Sequence, residues 1–201
     1  MTKNKFVIIC LIALIVALLG NTININPSDS VDVQISASDK VDEPIMTAEY
    51  TSLGVPNINS YFKTYMDYRY VTNQNSAQYK FINTWGWLDS EGFMRCNAEK
   101  TLGIDEHYYL IALGSYYGTE IGTKYRITLD TGRVFYGVLA DCKADIHTNS
   151  THQYSKNNDV VEFLVDARQL NKTVKRFGSA NVYMPLNGNV AKIEKINFVM
   201  R

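Results

Sequence analysis

The clearest pattern along the chain is an alternation of apolar and polar residues in its second half. The stretch GTKYRITL alternates through Tyr125, Ile127 and Leu129, the polar tripeptide DTG follows at 130–132, and RVFYGVLAD then returns. Alternation with a period of two places one set of side chains on one face of a strand, and a short loop containing glycine joins such strands. The pattern therefore predicts a β-hairpin.

Further segments also have the composition of strands. The continuous apolar run 108–113 is typical of a strand that is buried on both faces, VVEFLVD follows at 160–166, and VAKIEKINFV alternates at 190–199. Nearer the N-terminus, YKFINTWGWL (79–88) and FMRC (93–96) are predicted as strands that a turn at 89–92 connects.

Helical patterns are fewer. Tyr61, Tyr65 and Tyr68 share a helical face, so the start of the folded region is predicted as a short helix or an extended lead-in. The stretch ARQLNKTVKRFG (167–178) is predicted as a short helix with basic residues toward its end. Six or seven short strands, one or two short helices and no repeated βαβ unit predict a closed, mainly β domain.

The N-terminal residues differ from the rest of the chain. An unbroken apolar run, FVIICLIALIVALLG (6–20), follows Lys3 and Lys5, which predicts a signal anchor or signal peptide over 1–20. No cleavage site is obvious, so we favour an uncleaved anchor with the lysines inside and the rest of the chain exported. The polar segment 21–56 is predicted as a flexible linker, which leaves 57–201 as the domain.

Composition excludes one class of partner. Twenty basic residues balance twenty acidic ones, so the charge gives no support for nucleic acid binding. Beyond the apolar run the chain has Cys96 and Cys142, and two thiols alone do not settle whether they pair.

Candidate chemistry gathers where the hairpin ends. Asp141, Asp145 and His147 follow the apolar run of the second hairpin strand, and Glu162 is a lone carboxylate inside an apolar segment. Desolvated carboxylates have raised pKa values, and two carboxylates with separated pKa values are the usual equipment for cleaving glycosidic bonds. The structural alternative is that Asp141 caps a turn, Lys143 pairs with a neighbouring acid and Glu162 faces solvent.

Two other chemistries are considered. Asp141, Asp145 and His147, with His152 nearby, are plausible metal ligands, although their spacing matches no standard zinc motif. Neither a G-x-S-x-G motif nor a sequence that marks an activated cysteine is present, so nucleophilic triads have no signature.

A family resemblance extends this interpretation. YLIALGSYYGTEIGTKYRITLDTGRVFYGVLADCKAD and the later VVEFLV resemble the three-aspartate double-psi β-barrel domain, the 3D domain, of exported bacterial proteins that remodel the cell wall. The segments FKTYMDYR and VLADCKADIHT are similar to stretches of exported Firmicutes proteins, and the resemblance covers roughly 61–196. It implies a six- to seven-stranded double-psi β-barrel behind the anchor and linker.

The resemblance also implies a function. It assigns Asp141 as the acid/base of a lytic transglycosylase that cleaves peptidoglycan glycan strands outside the cytoplasm without any cofactor. Glu162 stands where the family has a later Asp, and Glu162 or Asp145 is expected to orient the acid/base or to stabilise positive charge. The expected substrate-binding residues are Tyr116, Tyr117, Lys143 and His147. The alternative is a non-catalytic wall-binding or envelope-assembly module on the same barrel.

Overall fold

The computed structural model describes residues 46–98 and 107–201, and within them the architecture is mainly β, as predicted. The described strands are β1 Met46–Leu53, β2 Thr64–Asp67, β3 Trp87–Leu88, β4 Met94–Cys96, β5 Tyr108–Leu113, β6 Lys124–Leu129, β7 Val134–Cys142, β8 Glu162–Val165 and β9 Val190–Met200. They pair in one mixed sheet in the order β1-β9-β6-β7-β5-β4-β3, and β8 pairs in addition with both β5 and β2.

Strand β5 forms the centre of the sheet, and every one of its residues is buried. It runs parallel to β7 on one edge, while β4 and β8 pair antiparallel with its first and second halves. Its odd-numbered side chains enter one hydrophobic cluster and its even-numbered side chains enter another, so two cores pack on the two faces of the sheet. The prediction of a strand that is buried on both faces is confirmed.

The predicted hairpin and the predicted last strand are also confirmed. Strands β6 and β7 pair antiparallel, and β9 pairs antiparallel with β6. The buried residues of β6 are Tyr125, Ile127 and Leu129, which are the positions that the alternation assigned to one face.

The predicted linker is wrong over part of its length, because residues 46–53 form strand β1. This strand pairs antiparallel with β9 in an eight-residue register from Met46 opposite Met200 to Leu53 opposite Ile193. As a mostly exposed edge strand, β1 carries Thr, Ser and Glu side chains, and its polar composition concealed it. The predicted anchor (1–20) and the remaining linker (21–45) lie outside the described residues.

Helix α1 (Ala77–Trp85) replaces the strand that was predicted over 79–88. Ser76 caps its N-terminus, since the Ser76 hydroxyl accepts a hydrogen bond from Tyr79 N at 3.1 Å, and Ile82 is buried against the sheet. Only Trp87 and Leu88 of the predicted strand are extended, as β3. Apolar residues are so frequent in this segment that they satisfy both periods, and the serine cap decides for the helix.

Two smaller predictions are refined. The segment around Tyr65 is the extended strand β2, which runs parallel to β8, rather than a helix. The predicted C-terminal helix is shorter than its pattern: helix α2 spans Lys172–Phe177, and the Asn171 side chain caps it. Among the described residues, no helix combines the length and the apolar character that crossing a membrane requires.

Candidate functional site

Glu162 borders a cleft of about 600 Å³ at the start of β8. The pairing of β8 with two strands places Glu162 opposite Thr64 of β2 on one side and opposite Ala112 of β5 on the other. The cleft is lined by Phe62, Thr64, Tyr65, Lys143, Ala144, His147, Ser155, Asn157, Asp159, Glu162 and Gly178. Three predicted site residues, Lys143, His147 and Glu162, therefore meet in one place.

The surroundings of Glu162 favour its protonated form. Burial raises the pKa of the Glu162 carboxyl, the Lys143 charge lowers this pKa, and the charges of Asp159 and Asp141 raise it. A carboxyl that keeps its proton above the usual pH range and borders a solvent-filled cleft can act as a general acid.

Lys143 and Asp159 form a buried ion pair in the cleft wall. The Lys143 ammonium donates to the Asp159 carboxylate and, at 3.0 Å, to the Asp159 main-chain carbonyl, and the two side chains are 4% and 3% exposed. The Thr64 hydroxyl donates to the same carboxylate at 2.7 Å. Lys143 therefore pairs with Asp159 and not with Asp141 or Asp145, its neighbours in the sequence. The Lys143 ammonium was predicted to bind substrate, and this ion pair occupies it.

Asp141 lies on the other side of β5 from Glu162. Both acids are opposite Ala112, so their side chains point to the same face of the sheet, with two strand spacings, about 10 Å, between their backbones. Burial raises the pKa of Asp141, while hydrogen bonds from Cys142 N, at 2.9 Å, and from the Gln78 side chain lower it. Asp141 is half-buried beside α1 and is not among the residues that line the cleft.

Asp145 holds a surface loop in place. Its carboxylate accepts a hydrogen bond from the Ser115 hydroxyl at 2.7 Å and lies 3.5 Å from His152 Nδ1. The side chain is 57% exposed and is not among the cleft-lining residues. Its contacts therefore stabilise the loop and do not place Asp145 in the cleft. Within the described residues, no three His, Cys, Asp or Glu side chains are grouped to hold a metal ion. The metal alternative gains no support from this geometry.

The two tyrosines that were expected to bind substrate differ in exposure. Tyr116 is 48% exposed, whereas Tyr117 is 3% exposed and packs in the core, so the Tyr117 ring does not have the exposure that substrate binding needs. The two rings contact edge to face with centroids 5.1 Å apart. Cys96 and Cys142 form no disulfide with one another.

Sequence reasoning missed Asp159, Thr64 and Tyr65. Thr64 and Tyr65 reach the site only because β2 pairs in parallel with β8, nearly 100 residues later in the chain. Asp159 stands directly before the apolar segment of β8 in a polar loop, where it is indistinguishable from a turn residue. The one sequence signal that could have marked Asp159 is that the apolar residues begin directly after it, at Val160. In the structure Val160 is fully buried.

Gly114 lies in close contact with the loop that contains Asp145 and His152. A Cβ at Gly114 would overlap the His152 carbonyl oxygen, which itself accepts a hydrogen bond from Tyr116 N at 3.4 Å. Gly114→Ala is therefore expected to displace this loop and to lower the free energy of unfolding by about 1–3 kcal/mol. Urea unfolding measures the change; Thr119→Ala, at an exposed position of the same turn region, is the control. Equal stability of Gly114→Ala and wild type would contradict the close approach.

The raised pKa of Glu162 predicts a pH-dependent stability. Its ordinary value is 4.5, and the folded state holds the proton above that value. Its contribution to stability is therefore complete below 4.5 and is lost as pH rises through the raised pKa. The free energy of unfolding of wild type minus that of Glu162→Gln is expected to decrease from pH 4 to pH 8 in urea titrations. A difference that stays constant or increases would contradict the raised pKa.

Comparison with known proteins identifies no relative: no family model, no curated protein sequence and no solved structure matches this chain.

Proposed function

We propose that the protein is an enzyme of the bacterial cell envelope that cleaves the glycan strands of peptidoglycan as a lytic transglycosylase. The observation that carries the proposal is a half-buried glutamic acid with a raised pKa, Glu162, in the wall of a cleft of about 600 Å³. The resemblance assigned the acid/base role to Asp141. We reassign it to Glu162, because Glu162 borders the cleft and Asp141 does not.

The proposed reaction needs one acid/base. Glu162 donates its proton to the glycosidic oxygen as the bond from that oxygen to the anomeric carbon breaks. The C6 hydroxyl of the same sugar then attacks the anomeric carbon, and its proton passes to the Glu162 carboxylate. The products are a 1,6-anhydro end and a free hydroxyl on the leaving sugar, and no water is consumed. Asp141 assists from across β5, since its negative charge favours the protonated form of Glu162.

The residues that line the cleft favour this reaction, which needs one carboxyl group, over a hydrolysis that needs two. Asp159, the other acid among the lining residues, is bound to Lys143 and Thr64. Among the lining residues that the structure describes, Glu162 is thus the one carboxylate available for proton transfer. The phenyl and phenol rings of Phe62 and Tyr65 give the cleft apolar surface for sugar rings.

The proposed setting follows the resemblance and the N-terminal pattern. The combination of parallel pairs, β5 with β7 and β2 with β8, and an antiparallel hairpin supports a double-psi β-barrel. The apolar run 6–20 supports a membrane anchor with the domain outside the cytoplasm. The second candidate, a non-catalytic wall-binding module, is favoured by the pairing of Lys143, which leaves few groups in the cleft to stabilise charge.

Digestion in water enriched in heavy oxygen tests the proposal. The full chain in mild detergent is incubated with purified insoluble peptidoglycan, and the soluble products are analysed by mass spectrometry. We expect 1,6-anhydro products that contain no label, because the attacking oxygen comes from the sugar. Labelled reducing ends would show hydrolysis instead. If the protein pellets with the wall and releases no product, the binding module is the correct function.

A further inference from the structure

Two tryptophans flank the junction between α1 and β3. Trp85 ends the helix and is 64% exposed, Trp87 begins the strand and is 36% exposed, and only Gly86 separates them. Large aromatic rings in water are unfavourable, so a concentration of exposed rings marks a surface that binds something.

Gly86 fixes the backbone between these two residues. A Cβ at this residue would overlap the Ile82 carbonyl oxygen and lie 2.7 Å from Met94 Cε. The chain therefore passes directly over the core between the two tryptophans, and the junction has no room to shift. Trp87 also contacts the His107 ring edge to face, with centroids 4.9 Å apart. A ring that is held by such a contact, as Trp87 is, loses little conformational entropy when a ligand stacks on it.

A shallow groove lies at the same junction. Its volume is about 220 Å³, below the 300–1,000 Å³ of sites for larger organic ligands, so it suits a single ring. None of its lining side chains carries a formal charge, which favours a neutral ligand. The groove is lined by Tyr68, Ile82, Asn83, Gly86, Trp87, Leu88 and Met94.

Polar groups at the rim decide between a sugar and a membrane. Asn83 and Thr84 are exposed, and the Asn83 amide nitrogen donates to Tyr79 O at 2.8 Å, which leaves the amide oxygen as an acceptor. Hydroxyls of a sugar bind such groups while its carbon-hydrogen faces pack on aromatic rings. A membrane-binding helix instead presents Leu, Phe and Trp opposite a face that is rich in Lys and Arg. Here Ile82 and Met94 are buried, and Lys80 is the one basic residue of α1.

We propose that this surface, the Trp87 groove, is a second glycan-binding site that takes an uncharged sugar ring of a wall polymer. It shares no lining residue with the Glu162 cleft. The identity of the polymer rests on the proposed function: the groove holds a peptidoglycan strand while the cleft cleaves it. The site itself requires only that the ligand is a neutral sugar.

Intrinsic fluorescence tests the groove without any substitution. Trp85 and Trp87 are the two tryptophans of the chain, so all tryptophan emission comes from this surface. The full chain in mild detergent is titrated with soluble glycan fragments of purified peptidoglycan and, separately, with mixed micelles that contain phosphatidylglycerol. We expect a saturable change in emission with the glycan alone. A change with the phospholipid alone, or with neither probe, would overturn the proposal.

Substitution then separates the groove from the cleft. Trp87→Ala removes the tryptophan that lines the groove. It is expected to weaken pelleting with insoluble peptidoglycan about tenfold, the loss of one stacking contact, and to leave cleavage of short soluble fragments unchanged. Phe177→Ala, which removes a ring with 59% exposure on α2, is the matched control and is expected to pellet like wild type. Unchanged pelleting of Trp87→Ala would contradict the site. Emission changes in a protein without cleavage activity would uphold the groove and refute the proposed function of the cleft.

Discussion

Glu162→Gln is expected to lower the rate of glycan cleavage by about 100- to 10,000-fold, the contribution of a positioned general acid. The amide has nearly the same shape as the protonated carboxyl that burial favours, so the cleft keeps its form while the transferable proton is lost. Initial rates of product release from purified peptidoglycan measure the effect. Urea unfolding near neutral pH is the control that tests whether the variant is folded.

Two further variants make the result specific. Glu120→Gln, at an exposed glutamate outside the cleft, is expected to cleave at the wild-type rate. Asp141→Asn removes a charge that raises the pKa of Glu162, so its activity is expected to decline at a lower pH than that of wild type. If Asp141→Asn abolishes cleavage and Glu162→Gln retains it, Asp141 is the acid/base and our reassignment is wrong.

Lys143→Met is expected to lower the free energy of unfolding by about 3–5 kcal/mol, because it leaves the Asp159 carboxylate buried without its cation. The two side chains are 4% and 3% exposed, so water cannot replace the lost contact without opening the cleft wall. The remaining partner, the Thr64 hydroxyl, compensates only a small part of the charge. Equilibrium unfolding in urea measures the change.

A double variant distinguishes the ion pair from general packing. Lys143→Met with Asp159→Leu removes both charges, and buried ion pairs replaced by apolar groups recover much of the stability. We therefore expect the double variant to be more stable than Lys143→Met alone. Lys156→Met, at an exposed lysine of the same loop, is the control and should resemble wild type. A double variant less stable than the single one would show that the pair contributes through shape rather than charge.

The sequence predicted the elements whose pattern has a single interpretation. The alternation in β6 has a period of two, and the apolar run of β5 has the length of a strand and is too short for a buried helix. Both strands form where the pattern places them. Helix α1 was missed because apolar residues occur at both helical and strand spacings around Ile82. Strand β1 was missed because an exposed edge strand needs few apolar residues, and its existence depends on β9 at the other end of the chain.

The candidate site was predictable in part. Glu162 was identifiable as a carboxylate inside an apolar segment, and the structure places it at a cleft. Its companions were not, since the parallel pairing of β2 with β8 brings Thr64 to Asp159 and no local pattern encodes that contact. Tyr117 shows the opposite failure: it was expected to bind substrate together with its neighbour Tyr116, but its ring belongs to the core.

The central claim is that Glu162 is the acid/base for cleavage of wall glycan. Mass spectrometry of the soluble products from equal amounts of wild type and Glu162→Gln, each incubated with the same purified peptidoglycan, tests it most directly. The account predicts 1,6-anhydro-muropeptides from the wild type and only trace amounts from the variant. Equal yields from both proteins, or no products from the wild type, would contradict it.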